Sequence, residues 1–221
     1  MPGEPIVLGA PDRMALQNRV TPFGDIVAVP ERGLMFGNRG GRFHEPRTRR
    51  LTGRRFASRR WLCCELSFKG RRRKVFGHGY TELFFLDEAT ALAAGHRPCF
   101  ECRRADASSF RDAFARGNGL KALPRADEMD VTLHAERRSP LVAIADWREL
   151  PDGAMVAFGV TPCLVFGGEL LAWSPAGYRP QDKRPWEAVL LTPAATVAAL
   201  RAGYRARLHP TALARDAVEP I

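Results

Sequence analysis

Apolar positions along the chain fall in short runs bounded by glycine, proline and charge, and the character of those runs changes twice. Residues 1–46 show little helical periodicity. A short β-branched run at 26–29 predicts a strand, and the glycine-rich stretch 37–41 predicts a flexible turn whose backbone N–H groups could wrap an anion. From 47 to 118 the apolar runs 61–68, 71–76 and 80–85 predict three strands, the first two joined by a turn at Lys69 and Gly70. Asp87 is placed to cap a helix that runs to Ala94 and stops at Gly95. Asp106 is placed to cap a second helix, with Phe110 and Phe114 one turn apart and a stop at 117–119. Beyond 119, a helix is expected over 127–138. The short apolar runs 154–158, 163–166, 170–173 and 188–191 read as strands separated by turns. Thr192 as cap and Pro193 in the first turn predict a last helix reaching Arg201. The stretch 175–185, rich in proline and arginine, is expected to be a mobile loop.

These elements predict an α+β fold in three segments. Residues 1–46 form an irregular segment, and 47–118 a small zinc-organised three-stranded sheet with helices. Residues 119–221 form a helix and a β-rich C-terminal half, as a small antiparallel sheet or half-barrel. A chain of 221 residues is long enough to bury a core. No segment approaches the ~20 apolar residues of a membrane span, and the first ten residues lack the pattern of an export signal, so a cytoplasmic location is expected.

Charge adds a partner to this picture. The net charge is +10, and the segment from Arg47 to Lys74 holds twelve Lys or Arg against one acid, Glu65, so the rest of the chain is close to neutral. A local excess of this size concentrates polyanions. Arg54, Arg55, Arg59, Arg60, Arg71, Arg72 and Arg73 are the expected phosphate contacts, with Arg97 and Arg103 beside them.

Five cysteines in no disulfide-like spacing point to metal. Cys99 and Cys102 form a Cys-x-x-Cys knuckle at the start of a predicted helix, where thiolate charge is favoured. Zinc, the expected cofactor, needs about four ligands. Cys63 and Cys64 alternate across a strand, so one faces the site and the other the core, and Cys64 is preferred. The fourth ligand is left among the remaining cysteine, His44, His78, His96 and His134.

The stretch from Phe84 through the alanine-rich helix to Gly95-His96-Arg97-Pro98-Cys99-Phe100-Glu101-Cys102 resembles the N-terminal zinc domain of the Ada DNA-repair family. The resemblance covers about residues 61–104. It implies a zinc-organised fold in contact with nucleic acid, DNA ahead of RNA, with Cys99 and Cys102 as the second ligand pair and Cys63 or Cys64 near the first. That family's first pair is Cys-x-x-x-Cys, whereas here Cys63 and Cys64 are adjacent. The family's downstream Pro-Cys-His-Arg motif is also missing, so methyl transfer is not implied. The phrase from Gln17 to Val27 resembles the start of an uncharacterised bacterial protein family.

A rival reading begins at His134-Ala135-Glu136. His-x-Glu with Pro-Cys-x-x-Cys makes up the metal and proton-transfer set of zinc nucleobase deaminases, here in reversed order. In that reading His134 is a ligand, and Glu136 or Glu101 is a general acid/base in a hydrolase or deaminase acting on a nucleobase, nucleotide or phosphodiester. Cys163 reads as a core thiol. Trp173, Tyr178 and Trp186 read as core edges or a platform for stacking bases. Glu82 and Asp87 could form a carboxylate pair, although capping accounts for Asp87. The preferred reading is a zinc-binding, nucleic-acid-binding protein, with the enzyme as alternative and a partner-binding protein as third.

Overall fold

The structure is a computed structural model and describes residues 15–71, 74–181 and 187–214. Its first half carries strands β1 (Arg19–Val20), β2 (Ile26–Val27), β3 (Met35–Arg39), β4 (His44–Glu45), β5 (Arg50–Leu51), β6 (Trp61–Glu65) and β7 (Leu83–Phe85). Helix α1 (Glu88–Ala93), strand β8 (Arg97–Pro98) and helices α2 (Arg104–Gly117) and α3 (Ala126–Glu136) follow. The second half holds β9 (Val142–Ile144), β10 (Met155–Phe158), β11 (Thr161–Phe166), β12 (Glu169–Ser174), β13 (Gly177–Pro180) and β14 (Ala188–Leu190), then α4 (Ala194–Arg201) and α5 (Pro210–Leu213). The fold is α+β. One six-stranded sheet runs β2-β1-β7-β3-β6-β8 and a second runs β13-β12-β11-β10-β14-β9, with β4 and β5 paired apart. The first is mixed, with parallel pairs β1–β7 and β6–β8. The second is antiparallel throughout, as its four expected apolar runs suggested. Among the described residues no helix is long and apolar enough to cross a membrane.

Three local expectations are corrected. The run 37–41 is strand up to Arg39, and only Gly40 and Gly41 bend, at φ 75° and 156°. Gly37 is glycine because the strands crowd it: a Cβ there would lie 2.1 Å from the Leu62 carbonyl oxygen and 2.7 Å from the Phe85 ring. No strand forms over the described part of 71–76; Arg72 and Arg73 lie outside the described residues. Both edges of β6 are taken by β3 and β8, so the expected neighbour finds no free ladder. Phe76 instead turns at φ 56°, stacks on His44 at 4.6 Å, and donates its N–H to Glu82 Oε2 at 2.8 Å. Part of the expected loop at 175–185 is β13, and residues 182–186, including Trp186, lie outside the described residues.

Helix starts also depart from the reading. Asp87 caps α1 as expected, accepting the Thr90 N–H at 2.9 Å. Asp106 does not cap α2; Arg103 holds the N-cap position, and Asp106 pairs with it at 2.7 Å. Pro193 is the N-cap residue of α4, while Thr192 Oγ1 accepts the Met155 N–H at 2.8 Å.

Helix α1 explains its own alanines. Ala89 and Ala93 pack on the second sheet with Met155 and Leu164, while Ala91 and Ala94 pack on the first with Leu83 and Phe85. Small side chains let one helix serve two sheets at close range. Every residue from Thr81 to Cys99 is buried. A third cluster joins Leu92 to Phe110, Phe114, Met129, Leu133 and Leu200.

Within this buried tract His96 lies between Trp61 (ring centroids 5.0 Å) and Phe85 (4.7 Å). Burial first, then Arg39 and Arg137, hold its pKa well below the ordinary histidine value. The folded state thus keeps the ring neutral while the unfolded chain protonates it near pH 6.5. A depressed folded pKa gives stability that is present above about pH 6.5 and lost as pH falls. The unfolding free energy should drop by up to about 1.4 kcal/mol per pH unit below that point from this group alone. Urea titrations at pH 7 and 5.5 should show a smaller difference for His96→Gln than for the wild type.

Candidate metal centre

The cysteines meet because β8 runs parallel beside β6. The register sets Leu62 opposite Arg97 and Cys63 opposite Pro98, and the Cys99 N–H donates to the Cys63 carbonyl at 3.0 Å. One step further along each strand brings Cys64 beside Cys99. The knuckle then closes, with Arg103 N–H donating to the Cys99 carbonyl at 2.9 Å, and returns Cys102 to the same point. The sulfurs of Cys64, Cys99 and Cys102 all lie within 4.8 Å of one another. Tetrahedral zinc with Zn–S bonds near 2.3 Å needs sulfurs about 3.8 Å apart, so small rotations of these side chains suffice.

Their electrostatics suit a cation. Hydrogen bonds from Cys102 and then Cys64 pull the Cys99 thiol down to about 2, and the Cys102 and Glu101 N–H groups add to this. Cys64 is pushed far up because its proton is shared with Cys102 and Cys99 and because it is buried. The three sulfurs share hydrogen bonds that favour negative charge at Cys99, and metal loading would release the protons the cluster holds. The donor set is soft and compact, which fits zinc.

Of the other predicted ligands, none joins the three sulfurs. Cys63 points to the opposite face of β6, fully buried, its sulfur 3.5 Å from Arg103 Nη1. His44 spends both ring nitrogens on Thr81 Oγ1 and the Gly77 carbonyl, each at 2.8 Å. His96 accepts from Arg39 Nε at 3.4 Å, and exposed His78 stands outside the group. His134 lies edge-on to Phe56 at 5.2 Å, with Nδ1 3.3 Å from Arg137 Nη1.

The three cysteines form part of the wall of a cavity of about 550 Å³. Phe36, Tyr80 and Phe84 line it, with Phe36 6.0 Å from Tyr80 and 5.7 Å from Phe84. Glu65, Glu82, Glu101, Arg32, Arg60 and Arg71 supply its charges. No protein-family model, curated protein or solved structure matches this chain.

The predicted arginines divide. Arg54, Arg55, Arg59, Arg60 and Arg71 are exposed; Arg55 pairs with Asp25 at 2.7 Å and Arg71 with Glu101 at 2.6 Å. Arg97 and Arg103 are withdrawn from phosphate contact. Arg97 is buried in a two-point pair with Asp130 at 2.9 and 2.8 Å, and Arg103 in another with Glu88 at 2.8 Å twice. A buried guanidinium needs a carboxylate more than it needs solvent phosphate.

Glu136 is likewise withdrawn as an acid/base beside the metal. Both its oxygens accept the Ala195 N–H, at 3.1 and 3.2 Å, and it lines a different cavity from the cysteines. Trp173 Nε1 donates to Thr90 Oγ1 at 3.0 Å and Tyr178 Oη to Asp87, and both rings pack in the second-sheet cluster as core edges. Cys163 is fully buried in the second sheet. The reading of the sequence missed Glu88, whose oxygens collect Arg103, the Tyr204 hydroxyl at 2.6 Å and the Arg207 N–H at 2.9 Å. Its first-turn helix position gave no hint of this, because its partners come from distant segments.

Proposed function

We propose that this chain binds zinc through Cys64, Cys99 and Cys102 and binds nucleic acid, DNA ahead of RNA, across the exposed arginines beside that site. The observation that carries the reading is the three-sulfur cluster in the wall of an aromatic cavity with Arg60 and Arg71 among its lining residues. Arg54, Arg59 and Arg60 have no carboxylate within 4.0 Å among the described residues, which leaves their charge for phosphate. Aromatic rings at the same opening provide faces on which a base can stack. The resemblance of residues 61–104 to the Ada zinc domain supports the same class of partner.

Fluorescence anisotropy with duplex DNA, single-stranded DNA and RNA across a salt series tests this. The triple variant Arg54→Gln, Arg59→Gln, Arg60→Gln should weaken binding regardless of base sequence. For duplex DNA it should reduce the slope of log K against log salt by about 0.9 for each phosphate no longer neutralised. Its thermal unfolding should be little changed, since the three side chains are exposed. Unchanged affinity and slope would sink the nucleic-acid reading.

A second reading is favoured by the ligand count. Three protein sulfurs rather than four, beside a cavity, is the arrangement of a site with one position free for a ligand. Zinc there would supply Lewis acidity toward a nucleobase, nucleotide or phosphodiester in the cavity. Of the carboxylates on that cavity's wall, Glu65 is paired with Arg207, while Glu101, held by Arg71, and Glu82, holding the Phe76 N–H, replace Glu136 as candidates for proton transfer.

A further inference from the structure

We propose that the cavity beside Trp61, on the other side of β6 from the cysteines, is a second ligand site, built for a phosphate monoester carried on a planar aromatic body. It rests neither on the metal nor on the nucleic-acid reading.

Trp61 and Leu62 are neighbours on β6, and alternation sends them to opposite faces. Leu62 lines the cysteine cavity, whereas Trp61 lines a separate one of about 520 Å³. The Trp61 ring is held between two guanidiniums, Arg39 at 4.0 Å and Arg137 at 4.3 Å from its centroid. Arg39 is fully buried, yet its partners are neutral: the Gly24 carbonyl at 2.8 Å, the Arg55 carbonyl at 3.4 Å and His96 Nε2 at 3.4 Å. Arg137 reaches only the Arg59 carbonyl at 3.3 and 3.4 Å and His134 at 3.3 Å, and its Nε is buried without a partner. Gly95 makes room for this arrangement, since a Cβ there would lie 2.5 Å from Arg137 Cγ.

Arg137 and Arg138 line the cavity, and Arg39 lies behind the Trp61 ring. Among the described residues none of the three has a carboxylate within 4.0 Å. The lining acid Glu136 is committed to Ala195 N–H, and Asp25 to Arg55. Burial, then Arg55 and Arg137, lower the Arg39 guanidinium to about 9 against the pull of Asp25, and burial lowers Arg137 to about 10 against the more distant pull of Asp130 and Glu136, so neither is fully neutralised. A buried cation without an anion is costly, and a bound anion relieves it. Arg137 and Arg138 on the cavity wall match a dianion better than a single carboxylate, with Arg39 adding its field from behind the ring. Phe56, Leu141 and Val142 give the wall an apolar part beside the polar Arg55, His134, Ser139 and Thr192, which suits a ring on the anion rather than a free inorganic ion.

Calorimetric titration of the zinc-loaded protein at low salt with phenyl phosphate, AMP, benzoate and inorganic phosphate tests the site. Phenyl phosphate and AMP should bind one per chain, more tightly than benzoate and than inorganic phosphate. Arg138→Gln, at an exposed side chain, should weaken them about tenfold, and Phe56→Ala about fivefold while sparing inorganic phosphate. Arg60→Gln, on the cysteine cavity, should leave them unchanged. No saturable binding of either aromatic phosphate, equal affinity for inorganic phosphate, or equal loss in Arg60→Gln and Arg138→Gln would overturn the proposal.

Discussion

Cys99→Ser should leave the protein without stoichiometric zinc. Cys99 is the sulfur whose pKa is lowered, by hydrogen bonds from Cys102 and Cys64 and by the Glu101 N–H at 3.4 Å. Serine at this position removes both the charge and a soft donor, leaving two thiols that no longer share a proton deficit. Loss of a residue that merely orients a metal ligand costs about 10–100-fold in affinity, and loss of a ligand from a three-sulfur set should exceed that. Metal analysis after dialysis against a weak chelator should find about one zinc per wild-type chain and almost none in the variant. Cys64→Ser and Cys102→Ser should behave alike, while Cys63→Ser and His134→Ala should retain metal, because their side chains stand apart from the three sulfurs. Zinc kept by Cys99→Ser would remove the site. The cobalt-substituted wild type separates scaffold from catalyst: a visible spectrum that shifts on adding a small thiol indicates a free position, and an unchanged one indicates a closed shell.

Glu88→Ala is expected to be the most destabilising single substitution outside the hydrophobic clusters. The carboxylate is 1% exposed and faces Arg103, also 1% exposed, in a two-point pair. It also takes the Tyr204 hydroxyl and the Arg207 N–H, so its loss strands donors of three residues from two distant segments. Arg103 keeps Asp106 at 2.7 Å and Glu65 at 3.7 Å but loses its one fully buried two-point partner. Breaking one partner out of a buried pair costs about 3–5 kcal/mol, a large share of the about 5–15 kcal/mol that holds a typical domain. The melting temperature should fall by about 6–20 °C for a chain of this size. Glu88→Gln preserves volume and one acceptor and should fall between. Unfolding of Glu88→Ala within about 1 kcal/mol of wild type would show that the Arg103 pair contributes little.

The metal site was half legible. Cys99 and Cys102 are close in sequence, and two residues between thiols close a turn whatever surrounds them. Strand alternation, which is also local, separates Cys63 from Cys64, but which of the two meets the knuckle depends on β8 lying beside β6. The fourth ligand was not legible, since a histidine's reach depends on which strand lies beside which. His134 lies on the face of the fold away from the cysteines because α3 packs near Trp61, and nothing within His134-Ala135-Glu136 records that. The arginines divide for the same reason. In the sequence Arg97 and Arg103 look like Arg59 and Arg60, but the first two meet Asp130 and Glu88 across the core, and the others meet solvent.

Patterns that act over one or two turns were therefore fixed by the chain itself. These are the α+β class, the antiparallel C-terminal runs, the Asp87 cap, the Gly95 stop, the Cys-x-x-Cys turn and the local concentration of positive charge. Only the tertiary structure decided which edges of β6 were filled, and so that 71–76 is no strand, that Cys64 completes the cluster, and that Trp61 is clasped by Arg39 and Arg137. Hydrophobic spacing and capping depend on neighbours three or four residues away. Strand pairing, buried ion pairs and cavities depend on segments tens of residues apart, whose meeting is set by how the two sheets pack on α1.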